Sequence, residues 1–253
     1  MQLLSLIIPA YNECGRIQMT IGEALDYFRR KGLACEIVVS ADGTDGTREA
    51  ARNLAQQHRE IKVIGQPERR GKGRGIREAV QLASGDVIGF VDADNKTPIS
   101  EFDKIEEFLR AGHDVVIGSR GISGSRIERA QPLYRRLGSR GFAVLMHACV
   151  GLHQIVDTQC GFKFFRGHVA RELFRLQQID GYMFDVEILY LAQQLGYRVV
   201  EVPVRWRDDG DSRLELLSGN LRNFCDVVSI RWRHRAVAAA RLDEDGVRET
   251  SQL

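Results

Sequence analysis

No stretch of this chain is apolar for long enough to cross a bilayer. The longest candidate, residues 141–156, is interrupted by His147, His153 and Gln154, and it falls short of the ~20 apolar residues of a spanning helix. The basic, apolar and small-residue succession of a signal peptide is also missing, because the sequence opens on a strand pattern. The five cysteines, Cys14, Cys35, Cys149, Cys160 and Cys225, are odd in number and form no Cys-x-x-Cys pair, which argues for reduced thiols in a cytosolic setting. Net charge is only +2 over 253 residues, so no bulk attraction to nucleic acid is expected. Repeats at solenoid spacing are absent. One local absence points to a partner: between Arg120 and Arg140 six arginines are accompanied by a single acid, Glu128. Such a patch suits an anion, although charge runs ordinarily mark a solvated helix face.

The most informative segment present is residues 86–98. Val87, Ile88, Phe90 and Val91 read as a strand buried on both faces of a parallel sheet, and the strand stops on Asp92 and Asp94. Ligands of open α/β sheets gather outside the carboxyl ends of the strands. Extended alternation turns both carboxylates to one side with Ala93 facing away, a donor set suited to Mg²⁺ or Mn²⁺ carrying a diphosphate. Alone, the segment fits a strand and capped turn equally well.

Around it, strands at 3–8, 36–39, 61–64 and 114–117 alternate with helical patterns at 48–58, up to Ala83, and at 99–110. A further helix carries Ile17, Ile21, Ala24, Leu25 and Phe28 on one face. This rhythm predicts an α/β fold built of βαβ units, a mostly parallel sheet flanked by helices. Beyond Ser119 the expected elements are a helix at 131–151, a strand with a functional turn at 155–165, a helix at 183–195 and a strand at 197–206. A final helix places Leu214, Leu217, Leu221, Phe224, Val228 and Trp232 on one stripe. Trp206 and Trp232 are expected as packed aromatics, Asp185 and Glu187 as helix-start residues, and His147 and His153 as packing or surface residues.

Polar loops close the early strands. Residues 9–13 and 41–47 offer fixed backbone, an aromatic ring and acids, fit for a base and ribose. Gly71, Lys72, Gly73, Arg74 and Gly75 offer amides and cations fit for phosphates, though the same residues fit a solvated loop. No Lys-Ser/Thr pair makes this a P-loop, and its spacing and position exclude a dinucleotide fingerprint.

Taken in order, residues 9–13, 41–47, 71–73 and 92–94 closely resemble the family 2 glycosyltransferases of GT-A fold. Residues 116–120, Arg135 with Ser139, 157–163 and 202–206 are similar to the polyprenyl-phosphate hexosyltransferases, which include the dolichyl-phosphate mannose synthases and glucosyltransferases; 157–163 looks closest to the second. The resemblance covers residues 3 to about 232. It implies a single domain over 1–240, with a nucleotide-sugar half at about 1–118, an acceptor half at about 119–240 and a polar tail at 241–253.

By that resemblance Pro9, Tyr11, Glu13 and Asp42 hold the nucleoside, Lys72 stabilises the leaving diphosphate, and Asp92 and Asp94 hold the metal. Arg120, Arg135 and Ser139 receive the acceptor phosphate, assisted by Lys163 and Arg205, while the loop bearing Asp157 closes over the reacting groups. Asp94, Arg120, Arg135 and Asp157 form the implied catalytic set. Two departures stand out: Ala41 replaces the first Asp of the second motif, and Lys96 stands where mannose synthases commonly carry Gln. The implied reaction is inverting transfer of a hexose from UDP-glucose, or next GDP-mannose, to polyprenyl or dolichyl phosphate, by a peripheral protein on the cytoplasmic face of the membrane. The alternatives are a soluble transferase with a small or glycan acceptor and a non-catalytic binding subunit of a larger membrane complex.

Overall fold

The computed structural model describes residues 2–128, 149–207 and 218–237. Nine strands are found among them: β1 (Leu3–Tyr11), β2 (Ala34–Asp42), β3 (Ile61–Ile64), β4 (Val87–Val91), β5 (Val115–Ser119), β6 (Arg126–Ile127), β7 (Phe162–Arg166), β8 (Val199–Pro203) and β9 (Arg205–Trp206). Seven of these make one sheet in the order β3-β2-β1-β4-β7-β5-β8, and β6 pairs with β9 in a separate ribbon. The helices are α1 (Ile17–Lys31), α2 (Thr47–Gln57), α3 (Lys72–Leu82), α4 (Phe102–Arg110), α5 (Gly167–Leu176), α6 (Phe184–Gln194) and α7 (Ser218–Arg233).

Alternation along the strands divides the core into two layers. Ile7, Val38, Phe90 and Phe165 face α3, α5, α6 and α7, whereas Leu6, Ile8, Ile37 and Val39 face α1, α2 and α4. Both β4 and β5 are buried along their whole length, as the apolar runs VIGFV and VVIG require in a sheet covered on both sides. α1 ends at Gly32, whose left-handed φ of 65° lets its N–H reach the Arg29 carbonyl.

The sheet is mainly parallel, with one exception. β7 is antiparallel to both β4 and β5. In that register Gly89 stands opposite Phe164, whose ring occupies the space where a Cβ on Gly89 would lie. Phe164 continues into an aromatic cluster, with ring centroids 4.9 Å from Phe102 and 5.0 Å from Phe162; such tilted contacts contribute about 0.5–1.5 kcal/mol each beyond burial.

The structure departs from the sequence expectations at three places. Residues 155–161 are loop, and only 162–166 are strand. α5 had no counterpart in the sequence reading. The helix expected at 131–151 lies outside the described residues except for its last turn, where Cys149 and Val150 are helical. In α7 the stripe that enters the core is Val227 and Ile230, continued by His234 just past the helix, while Phe224, Val228 and Trp232 are exposed, Trp232 by 68%. Trp232 is thus not a packed aromatic.

At the edge of the sheet opposite the strands' carboxyl ends, Glu36 joins three elements. Its carboxylate accepts from the Ser5 hydroxyl at 2.6 Å, the Ser84 N–H at 2.6 Å and the Lys62 ammonium at 2.7 Å. Burial by itself would raise its pKa, but these donors outweigh it and hold the group at about 2 against an ordinary 4.5. A depressed carboxylate stabilises the fold above its unfolded pKa and loses that contribution as pH falls through the folded value. Glu36→Gln is therefore expected to cost about 1–3 kcal/mol near neutrality, and thermal melts should show the gap from wild type closing between pH 4.5 and 2. A gap that is constant with pH contradicts this.

Candidate functional site

The carboxyl ends of β1, β2, β4 and β5 converge with the loop that precedes β7. Asp92 follows β4 directly, and its N–H donates to the Gly161 carbonyl at 3.1 Å, which extends the β4–β7 pairing by one step. A Cβ on Gly161 would overlap the Asp92 carboxylate, so glycine is the residue that lets this loop lie against the acid. Lys72, from the first turn of α3, donates to Asp92 Oδ1 at 2.7 Å. Burial opposes the charge on Lys72, but Asp92 and Asp185 outweigh it and raise its pKa.

The glycines around Lys72 have a different role from exposed phosphate-binding amides. At Gly71 and Gly73 a Cβ would strike the carbonyls of Asp180 and Ile179 respectively, and Arg74 N–H donates to the Asp180 carbonyl at 3.2 Å. They permit close packing of α3 against the loop leading to α6, and that packing delivers Lys72 to Asp92. Glu187, fully buried on α6, fixes the same loop by accepting from the N–H groups of Gln178 and Ile179, both at 2.9 Å, and contacts His234 Nε2 at 2.7 Å.

Asp94 lies near Lys96, with 3.4 Å between Oδ2 and Nζ. Burial, and then the neighbouring Asp92 charge, raise the Asp94 pKa against the opposing pull of Lys96. Among the described residues no group of three or more His, Cys, Asp or Glu side chains gathers as a metal cage. The pair nevertheless fits Mg²⁺ or Mn²⁺ arriving with a diphosphate, because such ions keep water and phosphate oxygens and need only one or two protein carboxylates.

Across the site, Arg120 at the end of β5 grips Asp157. Its Nε and Nη2 donate to Oδ2 and Oδ1 at 2.7 and 2.9 Å, and its backbone N–H reaches Oδ2 at 2.9 Å. Burial would raise the Asp157 pKa, but the guanidinium outweighs it and holds the carboxyl below its usual range. Glu201 on β8 secures the loop from behind by accepting the N–H groups of Val156 and Asp157 at 2.7 and 2.9 Å. Cys160, buried at the centre of this loop, has its thiol pushed up to about 12 by burial and then by Asp157, which keeps it a neutral packing group.

Other sequence-predicted residues stand further from this centre. Lys163 is 0% exposed and donates to the Cys160 carbonyl at 2.7 Å and Asp185 at 2.6 Å. As described it supports the loop from inside the protein and does not reach a surface where phosphate would dock. Asp185 does stand in the first turn of α6, but as the buried partner of Lys163. Arg205 donates to Glu101 at 2.6 Å and to the Ser100 hydroxyl at 3.1 Å. Asp42 braces the loop after β3 by accepting from Gln66 N–H at 3.2 Å and Arg70 N–H at 3.0 Å, and Ala41 is wholly buried. Pro9 and Tyr11 close β1, the Glu13 N–H donates to the Thr47 hydroxyl oxygen at 2.8 Å, and the Arg69 guanidinium lies 4.4 Å from the Tyr11 ring. Arg135 and Ser139 lie outside the described residues.

Three comparisons bear on this arrangement. The family model described as "Glycosyl transferase family 2" matches residues 5–174. A dolichyl-phosphate beta-glucosyltransferase of Trichomonas vaginalis is 36% identical over 244 residues, covering 92% of this chain and 72% of that protein. One of Drosophila melanogaster is 33% identical over 253 residues, covering 94% and 77%. Among solved structures, glucosyl-3-phosphoglycerate synthase from Mycobacterium tuberculosis, in complex with Mn²⁺, uridine diphosphate and phosphoglyceric acid, superposes with a TM-score of 0.66. It is 19% identical and the match covers 91% of this chain and 78% of that one, a likeness of fold.

The contact between Gly161 and Asp92 gives a direct test of the geometry. Gly161→Ala should push the carboxylate off Lys72 and weaken binding of uridine diphosphate with Mn²⁺ by about 10- to 100-fold, the scale of a lost hydrogen bond between charged groups. Calorimetric titration measures the affinity and a thermal melt checks folding. Unchanged affinity in a folded variant contradicts the placement.

Proposed function

The chain belongs to glycosyl transferase family 2, and from that premise we propose that this glycosyltransferase moves glucose from UDP-glucose to dolichyl or a related polyprenyl phosphate. GDP-mannose is the next donor in preference, and the anomeric carbon inverts. The names of the relatives support glucose and a dolichyl-phosphate acceptor. The single observation that carries the reading is the separation of charge into two sets: Lys72 beside Asp92 on one side and Arg120 on Asp157 on the other. A reaction between two anionic substrates needs such a division.

In this reading residues 1–118 bind the donor and 119–240 the acceptor. Pro9, Tyr11, Glu13 and Asp42 flank the nucleoside, and Lys72 exchanges its contact with Asp92 for the diphosphate. Asp92 and Asp94 would hold Mg²⁺ or Mn²⁺, which would supply positive charge to the leaving group. Arg120 receives the lipid phosphate, together with Arg135 and Ser139, and Asp157 keeps the guanidinium aimed. Arg205 adds charge on the far side and Lys163 secures the loop. A phosphate oxygen is already anionic at neutral pH, so it attacks the anomeric carbon in line without a general base. Fixed cations that meet charge as it shifts to the departing diphosphate stabilise the transition state.

The acceptor's tail lies in a bilayer, whereas no helix among the described residues is long and apolar enough to cross one. We place the protein peripherally on the cytoplasmic leaflet, with the exposed Phe224, Val228 and Trp232 of α7 dipping into the interface beside Arg231 and Arg235.

Two outcomes are expected. Incubation with UDP-glucose, dolichyl phosphate and Mg²⁺ or Mn²⁺ should yield a β-linked glucosyl phosphate by NMR, and Asp94→Ala should lower the rate at least about 100-fold, as loss of a preorganised electrostatic group does; an α-linked product rules out single displacement. On flotation with anionic liposomes at low salt the protein should rise with the lipid, and Trp232→Glu should leave it at the bottom. If wild type stays at the bottom, the membrane placement is wrong.

A further inference from the structure

Trp206 occupies a position that simple packing does not account for. It is 9% exposed, and two cations from opposite sides of the site converge on its indole: Lys96 Nζ at 5.8 Å and Arg120 Cζ at 5.4 Å from the ring. Lys96 belongs to the loop after β4, next to Asp94, while Arg120 ends β5. The backbone fixes the ring between them. Trp206 pairs with Ile127 in the β6–β9 ribbon, its carbonyl accepts from Glu128 N–H at 3.0 Å, and the next N–H, of Arg207, donates to the Lys96 carbonyl at 2.9 Å.

Two like charges gathered by one indole repel each other, and each is compensated by its own carboxylate: Asp157 holds Arg120 bidentately and Asp94 stands 3.4 Å from Lys96. These compensations differ in permanence. A bidentate carboxylate uses two of the five guanidinium donors, so Arg120 keeps both its anchor and donors for an anion. Lys96 shares Asp94 with the proposed metal site. When Asp94 turns to a cation, Lys96 loses its carboxylate but keeps the electron-rich ring face, which attracts an ammonium.

We propose that Trp206 is a positioning residue that holds Lys96 and Arg120 as a joint receptor for the acceptor phosphate, with Lys96 freed for that role once the donor side is loaded. The proposal rests on the functional reading above and deepens it. Donor and acceptor then bind in order, because the second cation of the acceptor set is committed to Asp94 until the first substrate arrives. It also gives Lys96 a purpose as this chain's departure from the Gln common in mannose synthases.

The test measures binding and turnover with a short-chain, water-soluble polyprenyl phosphate. For wild type, prior saturation with UDP and Mn²⁺ should tighten binding of this phosphate in calorimetry. Lys96→Met should abolish that tightening. Trp206→Leu should raise the acceptor KM by about tenfold, the scale of a part-buried cation–π contact, with the UDP dissociation constant within twofold of wild type. Trp206→Phe, which keeps a weaker ring face, should fall between. Biosynthetic replacement of tryptophan by increasingly fluorinated analogues, which preserve shape but drain the ring face of charge, should raise the acceptor KM stepwise. A role in packing alone predicts no such trend, and its absence, or equal losses of donor and acceptor affinity in folded Lys96→Met, overturns the proposal. If wild type binds no polyprenyl phosphate at all, the functional reading and this inference fall together; if wild type binds it and Lys96→Met retains the UDP-dependent tightening, only the inference falls.

Discussion

The hydrogen bond from Asp92 N–H to the Gly161 carbonyl fixes the relation between the two halves of the site. Asp92 marks the end of a parallel strand, where the proposed donor-binding groups from β1, β2 and α3 collect. Gly161 marks the start of an antiparallel strand inserted between β4 and β5, and the loop before it carries Asp157 and Cys160. Because β7 runs against its neighbours, its beginning lies beside their ends. A parallel strand in that place would put its N-terminal loop at the opposite edge, remote from Asp92 and Arg120. Gly161, which keeps the loop in contact with the acid, is therefore as much a part of the site as the residues with charge.

Charge is distributed on the same plan. Three acids meet cations from different elements: Asp92 with Lys72 of α3, Asp157 with Arg120 just after β5, and Asp185 of α6 with Lys163 of β7. The last pair is fully buried, where removing one partner leaves an uncompensated charge costing several kcal/mol. The first two lie nearer the surface: in the proposed reading Lys72 exchanges Asp92 for an incoming anion, whereas Arg120 keeps Asp157 and meets the anion with its remaining donors. The buried pair thus holds the frame, and the proposed binding falls to the accessible pairs.

Much of this was legible in the sequence where local physics decides. The apolar run at 87–91 specified a strand buried on both faces and residues 114–117 a further strand, and the helical periodicity of Ile17, Ile21, Ala24, Leu25 and Phe28 specified the buried face of α1. The antiparallel sense of β7 was not legible, because strand direction follows from the path of the whole chain. The core-facing side of α7 was also missed, since the helix has two apolar stripes and only tertiary contact with α6 selects Val227, Ile230 and His234. At the site, Asp92, Asp94, Lys72, Arg120 and Asp157 converge, but Lys163 is interior, and the glycines flanking Lys72 reflect packing against residues 179–180. The parts played by Glu187, Glu201 and Trp206 depend on partners distant in sequence and left no local signal.

The central claim is that two anionic substrates occupy two separate sets of cations. It is tested most directly by measuring, on Arg120→Met, the dissociation constants of UDP with Mn²⁺ and of a soluble polyprenyl phosphate independently. The account predicts UDP affinity close to wild type with binding of the lipid phosphate reduced by more than about tenfold, as expected for loss of a charged hydrogen-bonding partner. Loss of both affinities together, or retention of the lipid phosphate, would contradict it.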